Sequence, residues 1–172
     1  MKPYAKNPFS SLHLFLFAGL AGGLAEVAWV SLYGFVERAS TFEVAREITA
    51  TVIPAASHLA VAPALGILIH FTLSLLLATV FGVAIWAPRA RRFGKIGIMA
   101  SSVTALAAVW AVNFFLVLPA WNPAFVTLLP LGVTLVSKAL FGISMGMVLS
   151  GGQQQLVGNR WISIGGSPAS MR

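Results

Sequence analysis

Four near-continuous apolar runs, each long enough to cross a lipid bilayer, constrain this 172-residue chain more than any other feature. They extend over about 12–35, 61–86, 96–118 and 125–149. At a rise of 1.5 Å per residue, about 20 helical residues cover a hydrocarbon layer of about 30 Å. The runs do not alternate apolar with polar residues, so they read as helices rather than barrel strands. A helix also satisfies its own backbone hydrogen bonds, which lipid cannot do for it. The expected fold is therefore all-α: an integral membrane bundle of four transmembrane helices within residues 1–150, followed by a tail over 151–172.

Composition excludes the main alternatives. Hydrophobic residues make up 58% of the chain and charged ones 9%, against about 25% charged in an ordinary soluble domain. So few charges cannot cover a soluble core, and so apolar a chain does not stay disordered. The absence of cysteine removes disulfides, thiolate metal sites, covalently attached c-type haem and a Cys nucleophile. The net charge of +7 reads as an orientation signal and not as a nucleic-acid footprint, because the basic residues collect in short segments between the apolar runs.

Those segments predict the topology. Lys2 and Lys6 precede the first run, Arg89, Arg91, Arg92 and Lys95 separate the second from the third, and Arg160 and Arg172 follow the fourth. The other side carries only Arg38 and Arg46, offset by Glu37, Glu43 and Glu47. The positive-inside rule then puts both termini and the 87–95 loop in the cytoplasm, with a bacterial inner membrane as the expected location. The first run, about 24 residues long, exceeds the 7–15 of a signal-peptide core and contains Glu26, so it is expected to remain as a membrane helix.

Between the first two runs, Ser40-Thr41-Phe42-Glu43 fits a capping box opening a short amphipathic helix over about 40–53. Phe42, Ala45, Ile48, Thr49 and Val52 share one side of it, Glu43, Arg46 and Glu47 the other, and Pro54 ends it. Such a helix either lies on the outer membrane face or serves as a partner-contact or solvated linker helix. Trp86 and Trp121, the latter between Pro119 and Pro123, suit the interfacial aromatic belt. Pro130 either sets the start of the fourth span or bends it. The tail, with Gly151-Gly152, Gly165-Gly166, Trp161 and Ile162, has no periodicity and reads as a cytoplasmic extension.

Candidate chemistry lies inside the membrane. Each span holds one strongly polar residue near its middle: Glu26, His70, Asn113 and Lys138. Counted from the span centres, Lys138 sits at the midplane, Glu26 and His70 within about 5 Å of it, and Asn113 about 9 Å toward the outside. Small residues share their faces: Gly19, Gly22 and Gly23 with Glu26, Gly66 and Ser74 with His70, and Thr134, Gly142, Gly146 and Ser150 with Lys138. Small residues mark close helix approach, which turns the polar groups into protein. An ionised group at the bilayer centre costs about 2.5–3.5 kcal/mol on insertion scales. Either a Glu26–Lys138 pair offsets that cost or Glu26 is held as the neutral acid.

Three functions remain open. The favoured one is an accessory or scaffold subunit of a larger membrane complex, a respiratory complex being one example, where the polar groups act as interhelical glue worth about 0.6–2 kcal/mol each. The second is a small homo-oligomeric transporter or proton-coupled permease using Glu26, His70 and Lys138. The third is a subunit binding quinone or haem near His70. His13, His58 and His70 lie at three different depths, so this chain alone offers no bis-histidine haem site, and no metal site is expected. Hydrolase, P-loop and dinucleotide motifs are absent, an enzyme is not expected, and the sequence specifies no cofactor. The partners expected are the bilayer and other membrane subunits or further copies of the chain.

Overall fold

The computed structural model describes residues 8–86 and 94–165, with side chains over 12–86 and 94–152. It is about 90% helical, with no strand among the described residues. Helix α1 (Pro8–Glu37) leads to α2 (Thr41–Val52), a 3-10 turn (Pro54–Ala56) and α3 (Ala62–Phe81), which continues as a π-turn through Gly82–Trp86. After it come α4 (Lys95–Val112), a second π-turn (Asn113–Val117), α5 (Leu118–Trp121), α6 (Pro123–Leu128) and α7 (Leu131–Gly165). Four stretches are long and apolar enough to cross a membrane: Leu12–Glu37, Ala62–Trp86, Lys95–Trp121 and Leu131–Gly152. Of the orientation-setting basic residues, Lys2, Lys6, Arg89, Arg91, Arg92 and Arg172 lie outside the described residues, as does the Arg160 side chain.

Three boundaries differ from the sequence expectation, each for a local reason. The fourth span starts at Leu131, not near 125, because Leu129 precedes Pro130 and is driven to an extended backbone (φ −133°, ψ 142°). The freed carbonyl of Pro130 accepts from the amides of Val133 and Thr134, which seeds the new helix. The third span passes Leu118 and ends at Trp121, carrying Pro119 inside it. A proline ring there clashes with the carbonyl four residues back in an α-helix. The π-turn relieves this by widening the spiral: the Leu118 amide donates to the Asn113 carbonyl, five residues back. Lastly, α7 runs through Gly151-Gly152 to Gly165, past the expected end of the span near 149 and into the segment read as a tail without periodicity. A side chain at Gly152 would collide with Leu14, which shows how closely the two helices pass there.

The turn from α1 into α2 is tight. The Ala39 amide donates to the Gly34 carbonyl at 2.9 Å, the six-to-one bond of a Schellman cap. This places Arg38 in the left-handed region at φ 55°, a position usually given to glycine. An L-residue there costs about 1–2 kcal/mol. Arg38→Gly is therefore expected to raise stability by about 1 kcal/mol, read as a higher midpoint in thermal unfolding of the detergent-solubilised protein. An unchanged or lower midpoint contradicts the strain. In α2 itself the Glu43 amide donates to Ser40 Oγ at 3.3 Å, while the Glu43 carboxylate lies 3.8 Å from Arg46 Nε.

The spanning helices form a row, α3–α1–α7–α4, with α1 and α7 at its centre. The end members α3 and α4 do not pack extensively on each other, so the row leaves a wedge between them. One end of the bundle is solid. Phe15, Ala18, Ala78, Phe81, Trp86, Ile98, Leu106, Phe141, Met145 and Leu149 make a single buried cluster there. Gly19 meets the α3 backbone at Leu75, while Gly142 and Gly146 meet the α4 backbone at Val103 and Met99. At the other end α2 packs on α3, burying Ala45 and Thr49, and Thr49 Oγ1 donates to the Ala62 carbonyl at 2.6 Å. The face of α2 that carries Ala45 and Thr49 is thus docked on the chain itself, while Phe42 and Val52 stay exposed.

Candidate functional site

The site begins with two glycines in α1. Gly22 accommodates the Phe141 ring of α7, and Gly23 lies against Ser74 and Phe71 of α3, so α1 fits closely between both neighbours. One turn further along, Glu26 faces α7 and is only 9% exposed. Lys138 Nζ donates to both of its carboxylate oxygens, at 2.5 and 2.7 Å. Ser137 Oγ stands 3.2 Å from Glu26 Oε1 and 2.8 Å from the Thr134 carbonyl, and its single proton serves one of them at a time. The Lys138 ammonium also lies 5.9 Å from the Phe141 ring centre, a cation–π contact. Each charge is thereby neutralised by its partner, at the cost of fixing both side chains.

His70 joins from α3. Its Nε2 lies 3.3 Å from the Gly23 carbonyl. Donating to that carbonyl puts the ring proton on Nε2 and leaves Nδ1 as an acceptor. Asn113 opens the π-turn of the third span, so the residue the sequence singled out sits where the helix changes its winding. Glu26, His70, Asn113 and Lys138 all line one cavity of about 480 Å³. Its other walls are largely apolar, including Val30, Ile48, Ile67, Phe114 and Trp121, and α2 forms part of its boundary. His58 lies in the turn before α3 and does not line this cavity, nor does His13. Among the described residues, no three His, Asp or Glu side chains are grouped as metal ligands.

Three polar anchors here were not singled out from the sequence. Trp29 Nε1 donates to the Val133 carbonyl at 3.0 Å, and Trp110 Nε1 donates to Thr134 Oγ1 at 2.9 Å. Both indoles tie their helices to the first turn of α7. A tryptophan well inside a span is the signal that would have pointed to them, since its buried N–H needs a partner. The third anchor is Asn122. Its Nδ2 donates to Glu47 Oε2 at 2.8 Å and to Thr51 Oγ1 at 3.0 Å, and its Oδ1 accepts from the Phe125 amide at 3.4 Å. It caps α6 and latches α2 over the cavity at once. Asn before Pro123 is a readable helix start; the reach to α2 is tertiary and leaves no local trace.

These features define a class: an all-α membrane bundle with a buried ion pair at the base of a mostly apolar cavity. No protein-family model, curated protein or solved structure matches the chain, so its functional reading rests on this geometry.

Proposed function

We propose that the chain is an accessory subunit of a larger membrane assembly, one that holds a lipid-soluble small molecule in the cavity above the Glu26–Lys138 pair. The cavity carries this reading: about 480 Å³ falls within the roughly 300–1,000 Å³ of small-molecule sites, with apolar walls and a few convergent polar groups. It unites the scaffold role with the ligand-binding role near His70. The basic residues of the connecting segments favour cytoplasmic termini, and helical rather than barrel spans favour a bacterial inner membrane; on that reading α2 lies on the periplasmic side. The test is purification in mild detergent followed by native mass spectrometry and organic extraction. The expected outcome is a stoichiometric protein partner together with a retained small molecule. A bare monomer or homo-oligomer, free of any extractable ligand, contradicts the proposal.

A second reading, a homo-oligomeric proton-coupled permease, draws on one observation: three ionisable residues line a single cavity. The pairing of both Glu26 oxygens with the Lys138 ammonium weighs against it, because a relay needs a group free to exchange its proton. If this permease exists, Glu26→Gln with His70→Gln abolishes proton-driven flux in liposomes. Flux that survives both replacements removes the permease from consideration.

A further inference from the structure

We infer that the cavity takes an uncharged ring-type amphiphile with oxygens at opposite ends of its head group, the chemical class of a benzoquinone or its quinol. The inference rests on the cavity being a ligand site, and it goes further by naming what the site selects.

Charge is the first argument. Among the described residues, Glu26 and Lys138 are the only charged ones lining the cavity, and they neutralise each other. A carboxylate, phosphate or ammonium head group would enter low-dielectric surroundings with no counter-charge, or would have to pull the pair apart. A neutral head group avoids both costs.

Hydrogen-bonding capacity is the second. The Lys138 ammonium has three N–H groups, of which the two Glu26 oxygens use two. One donor is left over, and His70, which lines the same cavity, offers Nδ1 as an acceptor. Asn113 supplies a second polar station with both donor and acceptor. The Trp110–Thr134 bond sets α4 and α7 in register, with Lys138 one turn past Thr134 and Asn113 nearly a turn past Trp110 in the opposite sense. The two stations are therefore about 10 Å apart in backbone level along the bundle. Side chains reaching inward from both leave room for a six-membered ring presenting one oxygen to each.

The walls are the third. Ile67, Leu73 and Val30 offer aliphatic surface, and Phe114 and Trp121 offer aromatic surface. An apolar tail too long for the cavity would leave between α3 and α4, which do not pack extensively on each other.

The test uses the full chain in lipid nanodiscs with three probes of equal tail length: decyl-substituted benzoquinone, decanoate and decylammonium. Equilibrium dialysis against protein-free nanodiscs removes the contribution of lipid partitioning. The benzoquinone is expected to bind saturably at one per chain, and at least tenfold more tightly than either charged probe. Asn113→Ala is expected to weaken it about fivefold through loss of one hydrogen bond. Ile67→Trp and Leu73→Trp, which place bulk at partly exposed positions of the cavity wall, are expected to abolish it while circular dichroism stays unchanged. Should either charged probe bind as tightly as the benzoquinone, the head-group assignment falls and the cavity survives as a ligand site. If no probe saturates, or if neither tryptophan variant alters benzoquinone binding, the ligand-site reading falls with it.

Discussion

Lys138→Met is expected to cost the bundle about 3–5 kcal/mol, because it leaves the Glu26 carboxylate buried without a partner. The geometry accounts for that size. Both carboxylate oxygens of Glu26 are bound by the one ammonium, and among the described residues the only other side chain bonded to it is Ser137, whose single proton is shared with the Thr134 carbonyl. Glu26→Gln alone is expected to cost a similar amount by stranding the ammonium. The double replacement, Glu26→Gln with Lys138→Met, removes both charges and should recover most of the loss, since a buried pair and a well-packed neutral pair are often close in stability. Reversible unfolding in mixed detergent micelles measures all three proteins against the parent. A single replacement costing under about 1 kcal/mol, or a double replacement no better than the sum of the singles, means that the pair does not hold α1 to α7.

Gly66→Ala is the second large effect. An added Cβ would lie 1.7 Å from the Ala45 carbonyl oxygen and 2.6 Å from its carbon, so the obstacle is backbone and cannot rotate away. Overpacking commonly costs about 1–3 kcal/mol, and here the strain falls on a docked surface helix that can lift. The expected result is that α2 separates from α3, losing the Thr49–Ala62 bond and exposing the 38–61 segment to protease. The spanning helices should keep their helical signal. Gly132→Ala is the matched control: nothing lies near the added Cβ, so it should be neutral or slightly stabilising. A protease pattern identical in both variants means that α2 is not seated by this contact.

Much of the fold was legible because lipid imposes a simple rule: a spanning segment must be apolar, helical and about 20 residues long. The polar residues were legible for the same reason, since each of Glu26, His70, Asn113 and Lys138 interrupts an otherwise apolar run. Which of them meet was not. Lys138 and Glu26 are 112 residues apart, and nothing local in either helix encodes that α1 and α7 are neighbours. The glycine stripes carried partial information. Gly142 and Gly146 mark close approach, but not that α4 is the helix approached. The seating of α2 was hidden too, because Ala45 and Thr49 pack equally well on lipid headgroups, a partner or α3. At Gly151-Gly152, poor helix propensity suggested an end, yet backbone hydrogen bonding along α7 outweighs two glycines.

The separation of Glu26 from Lys138 along the chain has a consequence for how the protein is made. At a synthesis rate of about 5–20 residues per second, the 112 residues from Val27 through Lys138 take roughly 6–22 s to emerge. Throughout that interval the first segment holds an acid whose counterpart has not yet been translated. The pair that joins α1 to α7 can therefore close only after both intervening spanning helices, α3 and α4, have been made.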